Sequence, residues 1–162
     1  MKELSKIQEE PPAFSRAASQ SGAGAVQQQL TAVGERGFRG GTPALVAVVM
    51  RGLPFGELET LQRQLDLPLD RLAGHLGLAR ATLHRRKQAG QLTPDESDKV
   101  LRFARLLGQA MKIFGGIEDA REWLRSPQYG LGGAIPLEFA GTEVGAREVE
   151  SLLGRIDHGV YS

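Results

Sequence analysis

The stretch LDRLAGHLGLARATLHRRKQA, residues 69–89, decides the fold. Its apolar side chains recur at helical spacing over residues 69–76, which predicts a first short helix. Gly77 follows where a tight turn needs a left-handed residue, and residues 80–87 predict a second helix with Leu83 facing the core. Two short helices joined by such a turn predict a helix-turn-helix, whose second helix lies in the major groove of DNA.

The exposed side of the second helix is basic. Four basic residues and no acid lie between Ala79 and Leu92. Arg85 and Arg86 have the guanidinium geometry that pairs with guanine or grips phosphate, and Lys87 suits a contact to the DNA backbone. The plainer alternative is a solvated charged face, but the helix-turn-helix pattern favours DNA binding. The predicted DNA-binding residues are Arg80, Thr82, His84, Arg85, Arg86 and Lys87.

The segments on both sides of this motif predict further helices, which makes the fold class all-α. The predicted spans are residues 55–65, 93–114, 117–124 and 142–156, and residues 135–139 are either a short helix or an irregular piece around Pro136. Thr93, with Glu96 three residues later, has the spacing of a capping box, and Thr142 is the predicted cap of the final helix. For the apolar run at residues 44–50, helix and strand both remain open, because periodicity does not separate them.

The charges of the chain are unevenly distributed. The 162 residues carry a formal net charge of +1. Residues 1–62 are neutral overall, residues 63–112 carry +5, and residues 113–162 carry −4. A basic middle is typical of a chain with a nucleic-acid surface on one part. The absence of cysteine excludes disulfides, thiolate catalysis and cysteine-rich zinc sites.

Three regions follow from composition and pattern. Residues 1–41 are rich in Gly, Ser and Gln and poor in large apolar side chains, so we expect a disordered, flexible leader. Residues 42–114 form the predicted helix-turn-helix domain, and residues 115–162 form a second, small helical domain. No apolar run approaches the roughly 18 residues of a membrane span, and the N-terminus lacks a secretory pattern. We therefore expect a cytoplasmic protein with no membrane contact.

No catalytic or metal-binding constellation stands out. His75, His84 and His158 are dispersed without ligand spacing, and no HExxH, Walker A or Rossmann glycine pattern is present. The GLGG run at residues 130–133 lacks the flanking strand and helix of a phosphate loop, so a tight turn is the preferred interpretation. The sequence predicts no enzyme, no metal and no cofactor.

The last third of the chain carries the most specific motif. Its elements are WLRSPQYGLGGAIPL at residues 123–137, TEVGA at 142–146, Leu152, Ile156 and HGV at 158–160. This pattern resembles the toxin-binding domain of the Xre/MbcA/ParS antitoxin family. The run GQLTPDESDKV at residues 90–100 is similar to the join between the DNA-binding and toxin-binding parts of that family. The resemblance covers residues 45–162.

The resemblance implies an antitoxin of a type II toxin–antitoxin system. Its partner would be a RES-domain toxin, which is similar to ADP-ribosyltransferases and consumes NAD. The antitoxin would cover the entrance to the active site of this toxin. The family also represses its own operon through an Xre-like helix-turn-helix, so operator DNA would be a second partner. A homodimer within a higher-order toxin–antitoxin complex would supply two recognition helices for paired half-sites. The negative charge of the C-terminal part is compatible with binding such a toxin, because it would complement a basic cleft that holds an anionic dinucleotide.

The expected toxin-binding residues lie on one loop and on the tail. Tyr129 and Leu131 belong to a loop, where recognition residues are common, whereas Trp123 is expected in the core. We hypothesise that the tail after the final helix enters the substrate pocket of the toxin, with a frayed terminus as the alternative. The expected set is Tyr129, Leu131, His158, Gly159, Val160, Tyr161 and Ser162.

Two glycines inside the final helix bear on assembly. Gly145 and Gly154 each cost roughly 1 kcal/mol relative to Ala in a helix, which indicates close packing against another backbone. That backbone would be the same helix of a second copy in a homodimer. Ordinary tolerance of glycine is the alternative.

Another function remains open from the sequence. The alternative is a stand-alone helix-turn-helix transcription regulator whose C-terminal domain senses a small ligand. A neighbouring gene for a RES-type toxin would separate the antitoxin from the regulator.

Overall fold

The computed structural model describes residues 41–160, and this part of the chain is all-helical, as predicted. Its helices are, in order, α1 (Gly41–Arg51), α2 (Phe55–Leu65), α3 (Leu69–His75), α4 (Arg80–Ala89), α5 (Pro94–Phe114), α6 (Ile117–Arg125), a 3-10 helix (Tyr129–Leu131), α7 (Pro136–Phe139) and α8 (Glu143–Asp157). The predicted leader lies outside the described residues apart from its last position, and so do Tyr161 and Ser162. The apolar run at residues 44–50, left open between helix and strand, is helical.

Side-chain caps begin two of the helices where the sequence predicts them. At the start of α5, the Thr93 hydroxyl accepts the N–H of Glu96 at 3.3 Å, and the Glu96 carboxylate accepts the N–H of Thr93 at 2.8 Å. At the start of α8, the Thr142 hydroxyl accepts the N–H of Gly145 at 3.0 Å. Each cap satisfies N–H groups that the first turn of a helix leaves without a partner. The predicted capping box and the predicted final cap are both confirmed.

Helix α5 runs through the middle of one hydrophobic core. Val100, Phe103 and Leu106 on this helix are at most 1% exposed. The helix packs against α1 and α2 from the N-terminal part and against α6 and α8 from the C-terminal part. One cluster of buried side chains therefore extends from Leu53 to Leu153. The division between residues 114 and 115 stays a prediction, since both parts share this core.

Two arginines of α6 join this helix to the end of α2. Arg121 on α6 donates to the carbonyl oxygens of Arg63 and Gln64. Arg125, also on α6, donates to the carbonyl oxygen of Asp66 at 3.2 Å. The last carbonyls of a helix have no partner within the helix and attract cations. These bonds therefore hold the helix-turn-helix part in a fixed position relative to α6.

Glu57 on α2 is a buried carboxylic acid. The residue is 6% exposed, and its Oε2 has no hydrogen-bond partner among the described residues. Burial disfavours the charged form and raises the pKa of Glu57 to about 7. A glutamate in the first turn of a helix is ordinary in sequence terms, so its burial becomes visible only in the fold.

Candidate functional site

The predicted helix-turn-helix is formed by α3, a turn and α4. Leu72 and Ala73 are buried on α3, and Leu83 is buried on α4. Gly77 has φ +68°, the left-handed conformation that the turn requires. The N–H of Leu78 donates to the carbonyl oxygen of Ala73 at 2.8 Å, which closes the end of α3. The turn and the inward position of Leu83 are both as predicted.

The outer side of α4 carries one free guanidinium. Arg85 is exposed, and within residues 41–160 its side chain has neither a hydrogen bond nor an ion pair. His84 is exposed beside it, and Thr82 is half-buried. Arg85 is therefore the predicted DNA-binding residue that is most available for phosphate or guanine.

Two other cations of α4 lie next to acids on neighbouring helices. Nη2 of Arg80 is 2.7 Å from Oδ2 of Asp70 on α3. Nζ of Lys87 is 3.9 Å from Oε1 of Glu59 on α2. The side chains of Arg80 and Lys87 nevertheless remain 85% and 61% exposed. Both cations can be reached from solvent, although each is partly neutralised within the chain.

Arg86 on α4 pairs with a buried acid at the start of α5. Its Nε donates to both carboxylate oxygens of Glu96, at 3.0 and 2.8 Å, and its side chain is only 22% exposed. Burial raises the pKa of Glu96, but the N–H of Thr93 and the guanidinium of Arg86 outweigh it and lower that pKa below its usual value. Arg86 therefore holds α4 against the start of α5 through its Nε, and its part in DNA binding stays a prediction.

The C-terminal part exposes several large apolar side chains. Tyr129 in the 3-10 helix is 99% exposed, Val144 at the start of α8 is 74% exposed, and Val160 is 53% exposed. His158 and Gly159 are exposed as well, and Gly159 has φ +68° where the chain leaves α8. Exposed aromatic side chains are enriched in protein interfaces, so Tyr129 is the strongest contact candidate of this surface.

Leu131, expected to contact a partner, is instead a core residue with 9% exposure. The reason lies in its neighbour Gly130, which rests directly on α8. A Cβ on Gly130 would stand 2.6 Å from Cδ1 of Leu152. This close approach turns Leu131 inward and leaves Tyr129 outside, so two side chains of one short helix have opposite environments.

Val144 and Phe139 are exposed apolar residues that the sequence predictions did not include. The buried side of α8 is formed by Ala146, Val149 and Leu153. Val144 lies five residues before Val149, which at 3.6 residues per turn is about 140° around the helix. Helical spacing alone therefore predicts that Val144 lies away from the buried side of α8. Phe139 is 38% exposed on α7, and a helix of four residues is too short to show periodicity.

The two glycines of α8 have different surroundings. A Cβ on Gly145 would collide with the carbonyl oxygen of Phe139, so the predicted close approach to another backbone is confirmed there. The approaching backbone is the end of α7. Gly154 faces open space, because no other part of the described chain lies within 4 Å of the position that its Cβ would take.

The described part of the chain has neither a candidate metal site nor a candidate membrane span. Within residues 41–160, no group of three or more His, Asp or Glu side chains is arranged to hold a metal ion. No helix in that range combines the length and the apolar composition that a membrane crossing needs.

Known protein families match both parts of the described chain. Residues 44–105 match the family described as the antitoxin Xre-like helix-turn-helix domain. Residues 109–159 match the family described as the antitoxin Xre/MbcA/ParS C-terminal toxin-binding domain. The two matches meet inside α5, the helix that both parts of the core share.

Individual relatives are similar over most of their length. Antitoxin Xre of Yersinia enterocolitica is 33% identical over 120 residues, which cover 73% of this chain and 81% of the relative. Antitoxin Xre of Photorhabdus laumondii is 34% identical over 122 residues, which cover 74% and 82%. The Prs ADP-ribosylating antitoxin of a Sphingobium species is 26% identical over 127 residues, which cover 72% and 80%. Each similarity thus spans more than two thirds of both proteins.

Proposed function

The chain belongs to the Xre/MbcA/ParS family of antitoxins, and from this premise we propose that it neutralises a RES-domain toxin and represses its own operon. It is a type II antitoxin with a helix-turn-helix and a toxin-binding domain, in a family that is not enzymatic. The proposed toxin resembles ADP-ribosyltransferases and consumes NAD. The antitoxin would block its active site.

The observation that carries the toxin half is the fully exposed ring of Tyr129 within the toxin-binding domain. Tyrosine offers a large apolar area with a polar tip, and such residues dominate the energies of many interfaces. Val144 and Val160 add exposed apolar area to the same domain. The net charge of −4 over residues 113–162 favours a partner with a basic cleft, as an enzyme that binds anionic NAD would have.

The tail is the proposed blocking element. The N–H of Gly159 donates to the carbonyl oxygen of Ile156, and the N–H of Val160 donates to that of Arg155, which closes the end of α8. The chain leaves the helix at Val160, and residues 160–162 would enter the substrate pocket of the toxin. The name of the Sphingobium relative joins an antitoxin with ADP-ribosylation, the reaction class proposed here for the partner.

The DNA half of the proposal rests on α4. Arg85 and Arg80 are exposed on the second helix of the motif, where base edges and phosphates are contacted. Paired half-sites need two recognition helices, so we propose a homodimer in which the open surface at Gly154 meets a second copy of α8. Residues 42–114 would form the DNA-binding domain and residues 115–162 the toxin-binding domain. Both proposed partners, the operator and an NAD-consuming toxin, are found in the cytoplasm, so the protein would act there.

Co-expression with the neighbouring toxin gene tests the toxin half. We expect the toxin alone to stop growth and to deplete cellular NAD, and the full chain to prevent both effects. Tyr129→Ala should lose part of this protection. Met50→Ala is the matched control, because Met50 is also a large exposed apolar side chain, at 67%, but lies on α1 outside the toxin-binding match. Equal protection by both variants would contradict the assignment of Tyr129.

Deletion of residues 160–162 tests the blocking element separately. We expect the truncated chain to bind the toxin through the surface around Tyr129 but to leave NAD consumption partly active. Full suppression of NAD consumption by the truncated chain would contradict the role of the tail while leaving the antitoxin function intact.

A further inference from the structure

Acids from neighbouring helices partly neutralise two of the outer cations of α4. The closest pair joins Arg80, the first residue of α4, to Asp70 in the first turn of α3, with 2.7 Å between Nη2 and Oδ2. Lys87 near the other end of α4 faces Glu59 at 3.9 Å. Arg85 between them has no such partner within the described residues.

The pair between Arg80 and Asp70 has little structural reason to exist. Its side chains are 85% and 57% exposed, and exposed ion pairs contribute little to folding stability. The contrast is the pair of Arg86 and Glu96 on the same helix, with side chains 22% and 8% exposed, which joins two helices and completes a cap. The pair lies in solvent at the N-terminal end of α4, the end that contacts DNA in a helix-turn-helix. A role in DNA binding therefore explains it better than a role in folding.

We infer that Asp70 is a built-in competitor of DNA phosphate for Arg80. A carboxylate and a phosphate offer a guanidinium the same kind of oxygen acceptors, so only one of them can hold Arg80 at a time. In the free protein Asp70 occupies this position, and DNA must displace it before Arg80 can contribute. The inference rests on the proposed DNA binding and names a residue that regulates it.

The competition weakens binding to DNA of every sequence, the operator included. Contacts to phosphate are independent of sequence, whereas a contact of Arg85 to a base edge is not. Each phosphate contact releases about 0.9 counterion from DNA. Loss of one such contact therefore lowers the affinity about fivefold at about 0.15 M salt. Asp70 therefore lowers the affinity for the operator and for all other DNA by about this factor.

Asp70→Asn in the full chain tests the inference, with a duplex of shuffled sequence and a duplex from the region upstream of the gene as probes. Glu118→Gln is the matched control. Glu118 is also an exposed acid in the first turn of a helix, bonded to an arginine at 2.7 Å, but on α6. Both variants add the same charge to the protein, so a general effect of net charge appears equally in both.

The expected result is specific to Asp70. Asp70→Asn should bind the shuffled duplex about fivefold more tightly at about 0.15 M salt, and its log–log salt slope should be steeper by about 0.9. Glu118→Gln should change neither quantity beyond twofold. Asp70→Ser keeps a hydrogen-bonding side chain in the first turn of α3 and should behave like Asp70→Asn.

Removal of Arg80 completes a double-mutant cycle. Arg80→Ala alone should weaken binding to the shuffled duplex, but by less than the same substitution does in the Asp70→Asn background, because Asp70 competes for Arg80 in the wild type. The combined Asp70→Asn and Arg80→Ala variant should lose the whole gain of the single substitution. The inference is overturned if Asp70→Asn matches Glu118→Gln, or if its gain survives without Arg80. If neither wild type nor any variant binds either duplex at low salt, the proposed DNA function itself fails as well.

Discussion

Glu57 gives the sharpest prediction of stability. Its carboxyl group is buried on α2, and burial raises its pKa from 4.5 to about 7. Between these two pH values the folded protein keeps a proton on Glu57 that the unfolded chain has lost. Stability therefore falls as the pH rises from 4.5 to about 7, and the full penalty applies above that range. At 1.36 kcal/mol per pKa unit, the shift corresponds to about 3 kcal/mol.

Glu57→Gln should remove this pH-dependent penalty, because an amide of nearly the same shape never ionises. At pH 8 we expect the variant to exceed the wild type by about 3 kcal/mol in its free energy of unfolding. At pH 5 the two proteins should agree within about 1 kcal/mol, because Glu57 is then mostly protonated in the fold. Urea unfolding followed by circular dichroism at both pH values measures the difference.

Glu148→Gln is the control for this experiment. Glu148 is exposed on α8 and has no ion pair or hydrogen bond of its side chain within the described residues, so its substitution should be neutral at both pH values. An unchanged difference between Glu57→Gln and the wild type from pH 5 to pH 8 would refute the reasoning. Such a result would mean that Glu57 has the same pKa in the folded and the unfolded protein.

Three further substitutions separate DNA binding, folding and toxin binding. Arg85→Ala should weaken operator binding and flatten the log–log salt slope by about 0.9, as measured by fluorescence anisotropy; an unchanged slope would argue against a phosphate contact. Arg86→Ala should lower the free energy of unfolding by about 1–3 kcal/mol in urea titrations, because it leaves the buried Glu96 carboxylate without its guanidinium, and equal stability would count against this pair. Tyr129→Ala should weaken the toxin complex by about 2 kcal/mol in calorimetry and leave the thermal midpoint unchanged, since the ring is 99% exposed. Wild-type affinity would remove Tyr129 from the interface.

The features that the sequence predicted correctly depend on local interactions. The helix-turn-helix follows from the apolar spacing over residues 69–76 and from Gly77, which has the left-handed φ that its turn needs. The capping box at Thr93 and the cap at Thr142 involve residues only three positions apart. Signals of this range can be read without knowing the tertiary structure.

The structure differs from the sequence predictions where parts of the chain that are distant in sequence pack together. Leu131 is buried because the preceding glycine rests on α8, a contact that no local pattern encodes. Arg86 is a basic residue in a basic helix, and only the packing of α4 against α5 brings it to Glu96. Tyr129, in contrast, is as exposed as expected, because its side chain points away from that same packing.

The most direct test of the antitoxin function is NAD turnover by the purified toxin from the neighbouring gene. The full chain is titrated into the reaction, and the complex is isolated by size-exclusion chromatography. NAD consumption is expected to fall to background at a fixed molar ratio, with both proteins in one peak. Undiminished NAD consumption in the presence of excess antitoxin would contradict the proposal that this chain neutralises a RES-domain toxin.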